Sequence, residues 1–174
     1  MKAALVPLAL SVLSLGASAP RAVDVARCES PSGPFASQLE TGPGCGPSPV
    51  GMCTHGKLQG SIDARYEFIF QTFAPDEVDP LRVNYTGASI ITLADGHQMF
   101  GEDSGYIRLS LNGDAVFETT VHVNDGADPV DGDFGILIAN GLLNFTTGAG
   151  DGSYIGAYCR SKRKKLTSGC ESSR

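Results

Sequence analysis

The side chains with the most chemical reach in this chain are its acids, three histidines and five tyrosines. Few of them stand at spacings that a reaction needs. Asn124-Asp-Gly-Ala-Asp-Pro-Val-Asp-Gly-Asp133 puts four aspartates and an asparagine into ten residues. Such an oxygen-rich set suits a hard cation such as Ca²⁺. Its acids do not alternate and no glutamate closes the run, so it departs from the EF-hand loop. The plainer reading is a solvated acidic turn, and no metal site is expected. His97 with Glu102 and Asp103 has the makings of a general acid–base pair. Yet His97 sits in the tight turn Ala94-Asp-Gly-His97, and residues 102 and 103 of an extended chain point to opposite faces. His55 reads as a polar strand residue. No cofactor motif is present, and catalytic residues stay unassigned.

The aromatic residues make a better pattern. Tyr66, Phe68 and Phe70 recur at every second position, with Glu67, Ile69 and Gln71 between them. That is a strand with one apolar face. In a small barrel such a face either fills the interior or walls a cavity for one small ligand. The candidate ligand-binding set is Tyr66, Phe68, Phe70, Tyr106, Phe117, Phe145 and Tyr154, with Tyr85 beside it and core packing as the competing reading. Gly87, Ala88, Gly105, Ala139, Gly141 and Gly156 are small, and predict a cavity of roughly a few hundred Å³ among those rings.

The elements that must position these side chains are short strands. Strands are expected over 54–61, 64–73, 83–93, 98–101, 104–111, 115–123, 135–145 and 153–158. Turn chemistry separates them, with Asn112-Gly113 the strongest two-residue hairpin signal. Thr147-Gly-Ala-Gly-Asp-Gly152 carries three glycines for the last reversal. No convincing amphipathic helix interrupts them. The expectation is an all-β chain forming a single antiparallel eight-stranded β-barrel over 53–159.

Outside that body, residues 1–19 combine Lys2, an apolar run and Ala17-Ser-Ala19, as in a secretory signal peptide. The run is too short for a membrane span. Residues 20–52 are rich in Pro, Gly and Ser, and read as a flexible leader. Residues 160–174 form a basic tail. Between Cys53 and Cys159, fifteen acids against four bases give a net charge of −11, which argues against nucleic acid as a partner. A secreted protein can keep disulfides. In a closed barrel the strands holding Cys53 and Cys159 would be neighbours, so Cys53–Cys159 and Cys28–Cys45 are the expected bonds, with Cys170 left over.

His55-Gly-Lys-Leu-Gln-Gly60, Tyr85-Thr-Gly87, Gly96-His-Gln-Met-Phe-Gly-Glu-Asp-Ser-Gly105 and the run from Gly141 to Tyr158 resemble the allene oxide cyclase-like and dirigent-like barrels. The likeness is to their secreted, uncharacterised members especially, and it covers residues 53–159. It departs at Gly126-Ala-Asp-Pro-Val-Asp-Gly-Asp-Phe-Gly135, where those barrels carry a Gly-Thr-Gly-like turn. The resemblance implies a calycin-like eight-stranded barrel with an apolar cavity, and a trimer as in plant members. No catalytic residue carries over by position. Three functions follow as expectations: binding of a small apolar molecule, an isomerase or cyclase of the allene oxide cyclase-like type, or a secreted structural protein without a small-molecule site.

Overall fold

The computed structural model describes residues 27–110, 113–124 and 133–160. Nine strands run through them: β1 Arg27–Glu29, β2 Ser32–Thr41, β3 Met52–Leu58, β4 Ala64–Pro75, β5 Arg82–Leu93, β6 Gln98–Leu109, β7 Asp114–Asn124, β8 Phe134–Asn144 and β9 Ala149–Arg160. All pair antiparallel. Strands β2 to β9 follow one another around the sheet, and β2 also pairs with β9 to close an eight-stranded barrel. The short β1 continues the β2 column along β9, with Cys28 opposite Cys159.

The closing strand comes from the segment that composition assigns to a flexible leader. The leader reading fails for β2 because its alternation is real. Phe35 and Leu39 are buried while Ala36 and Glu40 between and beyond them are exposed. Gly33 permits the entry, since a Cβ there would lie 2.9 Å from the Gln59 carbonyl carbon and 3.0 Å from Gly60 Cα. Pro34 lacks an amide but its carbonyl accepts from Gln59 N at 2.9 Å. The barrel therefore begins at Ser32.

This topology also corrects the disulfide pairing. The neighbour of β9 at its far end is β1, so Cys159 bonds Cys28. Cys45, in the 3-10 turn Pro43–Cys45, bonds Cys53 eight residues on. The expected Cys53–Cys159 and Cys28–Cys45 pairs do not form, because β3 and β9 are separated by β2. Strand β6 is one continuous element where two were expected. Gly96 and Gly113 hold as turn residues, with φ of 83° and 88°, whereas the last reversal is tighter than expected: Gly148 turns at φ 74°, and Gly150 and Gly152 lie within β9.

The interior is two apolar plugs. One joins Phe35, Leu58, Ile91, Met99, Val121 and Tyr154 with their neighbours, and the other joins Leu39, Phe68, Phe70, Tyr85, Ile107 and Leu143. Partly buried Phe117 packs against both. The second plug is a ring cluster, with Phe68–Phe70, Phe70–Tyr85 and Phe68–Tyr85 centroids at 4.5, 5.2 and 5.7 Å. These spacings lie in the favourable range for tilted aromatic pairs. Interior glycines make room for the rings. A Cβ on Gly105 would lie 2.8 Å from Tyr85 Cζ, and one on Gly87 would enter the Phe68 ring.

Three outcomes follow. Non-reducing peptide mapping should return Cys28–Cys159 and Cys45–Cys53. Replacing the first pair by serine should cost about 5 kcal/mol and the second about 2.5 kcal/mol, because the loops differ so much in length. Gly87→Ala should destabilise by roughly 1–3 kcal/mol through overpacking against Phe68, read in a denaturant melt.

Candidate functional site

Each strand of the barrel sends alternate residues inward, and the two plugs leave a cavity of about 100 Å³ between them. Five of the seven residues predicted to bind a ligand are on its wall: Tyr66, Phe68, Phe70, Phe117 and Tyr154. The other two are not. Tyr106 faces outward beneath the Arg82 guanidinium, 4.2 Å from its ring centroid. It shares its face with exposed Arg108, while Met99, Asp103 and Ile107 of the same strand point in. Phe145 lies beyond the end of β8 in the last turn, exposed at its surface.

The cavity is smaller than a few hundred Å³ for a steric reason. Aromatic rings occupy the space over Gly87 and Gly105 that those glycines were expected to leave open. Gly141 and Gly156 instead carry close backbone approaches from Asp151 and Ile136 carbonyls. Ala88 stands at an outward position of β5, between inward Gly87 and Ser89. Ala139 does line the cavity.

The wall is apolar except for a few groups, chiefly Ser37, Thr54, Ser89, Thr119 and Asp103. Asp103 is the group that sequence reasoning placed beside His97 and Glu102. The structure separates all three. His97 Nε2 contacts Asp133 Oδ2, joining the β5–β6 turn to the start of β8. Glu102 is exposed on the outer face. Asp103 is 6% exposed and turns into the barrel. Ser89 Oγ donates to its Oδ2 at 2.7 Å, while buried Oδ1 has no hydrogen-bond partner. Burial pushes the carboxyl up to about 7, and the Ser89 hydrogen bond pulls the other way without offsetting it. A signal for this residue is present in the sequence. Met99, Gly101, Asp103, Gly105 and Ile107 share one parity, and Asp103 is the sole charged member.

The tyrosines of the wall are differently committed. Tyr154 OH donates to Gln59 O at 2.8 Å and accepts from Ile62 N at 3.1 Å. It ties β9 to the β3–β4 turn. Tyr85 OH donates to Glu118 O at 3.4 Å, and burial raises its phenol well above the usual range. Tyr66, pushed up to about 12 by burial and bonded to Ser37, lies under Gly56. Ser37 and Tyr66 line both the cavity and a groove on the outside of β2 to β6, so they form the wall between the two. Phe35, on the unexpected strand β2, meets Phe117 edge-on at 5.8 Å and completes the lining.

Among the described residues, no group of three or more His, Cys, Asp or Glu side chains is placed to hold a metal ion. The acidic run 125–132 lies outside the described residues, and so does the tail beyond Arg160. No helix among the described residues is long and apolar enough to cross a membrane. Comparisons with family models, curated proteins and solved structures return no match to the chain.

Asp103 sets a pH dependence whose sign is fixed. Its carboxyl titrates near 3.8 when unfolded and about 7 when folded, so the folded state holds the proton more tightly between those values. Its contribution is most favourable below pH 4 and is lost as pH rises towards 7. Asp103→Asn should remove that slope. The stability of the variant relative to the parent should grow across this window by a few kcal/mol, at most roughly 4, as measured by urea melts in steps of pH.

Proposed function

We propose that the protein is a secreted β-barrel that binds a small apolar molecule in its interior. The observation that carries this reading is the interior cavity of about 100 Å³ with an almost wholly apolar, largely aromatic wall. Apolar cavities of ~150 Å³ stay dry and take up benzene, so a cavity two thirds that size fits a guest of about four non-hydrogen atoms. A site this small selects by shape, since each added methylene must displace a packed ring. Two disulfides support an oxidising compartment, and the N-terminal signal pattern supports export.

One observation favours a second reading, an isomerase or cyclase of the allene oxide cyclase-like type. Asp103 is a buried acid poised near neutrality, the kind of group that assists proton movement on a confined substrate. The dirigent-like resemblance points the same way, and the trimer it implies belongs to this reading.

Filling the cavity tests the binding reading. Saturating xenon should raise the melting temperature of the parent by mass action. Ala139→Phe, which places a ring in the cavity, should abolish that rise and leave the fold intact by circular dichroism. A parent that takes up no small apolar molecule in thermal or NMR titrations excludes the reading.

A further inference from the structure

Three features of the cavity wall belong together. Asp103 Oδ1 is buried, aimed inward and without a hydrogen-bond partner. Gly87 is its cross-strand partner, and the Phe68 ring fills the place of the missing Gly87 side chain. Gly105 is the next inward residue of β6, and the Tyr85 ring fills its place in turn. The carboxylate therefore stands flanked by the rings of Phe68 and Tyr85, whose centroids are 5.7 Å apart.

A buried carboxylate without a partner is costly unless something pairs with it. Among the described residues, no lysine, arginine or histidine lines the cavity, so its wall supplies no counter-ion. The nearby hydroxyls are engaged: Ser89 with Oδ2, Tyr85 with Glu118 O, Tyr154 with Gln59 O and Tyr66 with Ser37. An anionic guest would meet a like charge and no cation. A neutral hydrocarbon would leave Oδ1 as it is. An ammonium group satisfies the oxygen, neutralises the charge and offers its polarised C–H and N–H groups to the faces of two rings. The net charge of −11 between Cys53 and Cys159 adds a long-range attraction for cations.

We propose that the barrel interior recognises a small organic ammonium ion, with Asp103 as its counter-ion and Phe68 and Tyr85 as its aromatic flanks. This rests on the reading that the interior takes up a small guest, and gives the apolar body of that guest a cationic end. The groups that titrate around Asp103 are few. Tyr85 on β5 and Tyr66 on β4 line the cavity with it, both phenols raised by burial, Tyr154 on β9 is bonded to Gln59 O and Ile62 N, and the cavity-lining residues of β2, β3, β7 and β8 bear no ionisable group. Binding of the cation therefore expels the proton of Asp103 and no other, and affinity rises with pH until that carboxyl is ionised.

Three probes of matched size separate the possibilities: isopropylamine, isopropanol and isobutane, titrated calorimetrically into the full protein. At about pH 8 the amine should bind at least roughly ten-fold more tightly than the alcohol, and at about pH 5 that preference should fall roughly ten-fold or more, with proton release seen as a buffer-dependent heat. Asp103→Asn should bring the amine down to the level of the alcohol. If that variant fails to fold, the pH dependence of the parent decides alone. Equal binding of all three probes, or an amine preference that ignores pH, overturns the ammonium assignment and leaves the interior-binding reading standing. Binding of none of the three overturns both.

Discussion

The pairing of β2 with both β3 and β9 is the constraint on which the rest of the molecule depends. It satisfies the backbone groups of two strands that would otherwise be sheet edges. It also fixes the strand number at eight, and with it the radius of the interior. An open seven-stranded sheet would have no enclosed volume to fill, and Asp103 would be wet. Closure turns a twisted sheet into a container, and the chain commits one of its least hydrophobic segments to it.

Within that radius the remaining problem is volume. Eight strands leave too little space for large residues at every inward position and too much for small ones. The chain resolves this by pairing rings with glycines across strands: Tyr66 with Gly56, Phe68 near Gly87, Tyr85 against Gly105. The interlock orients the rings and excludes water from what remains. Desolvation of Asp103 is a direct result, because the same rings that close the gaps also remove the solvent that would hold its charge.

How much of this is legible in the sequence depends on whether one residue pattern carries the information. Strand β4 is plain because Tyr66, Phe68 and Phe70 alternate without interruption. Strand β6 reads as two pieces because Gly101, Asp103 and Gly105 break its apolar alternation. At the two glycines a neighbouring strand's side chain fills the interior, Val121 over Gly101 and Tyr85 over Gly105, and a single strand's sequence does not report that. Strand β2 is hidden by the proline, glycine and serine around it, although Phe35, Ser37 and Leu39 keep the period of two. The disulfide pairing fails with it, since the neighbour of β9 cannot be named until the closing strand is known. Tyr106 is a different kind of miss. Its parity with Arg108 already places it outside, and its aromatic character outweighs the pattern.

The Cys28–Cys159 bond lies at the seam where the first strand column meets the last. A slot filled by a terminal strand is the natural place for two copies of a chain to trade that strand, each barrel closing around its neighbour's N-terminus. The exchange would conserve the strand pairings of β2 and break only the hydrogen bonds of the turn from Gly42 to Gly51. The bond forbids it by tethering the strand to its own barrel. Oxidation thus does more here than add stability: it fixes the closing strand to the barrel it has entered.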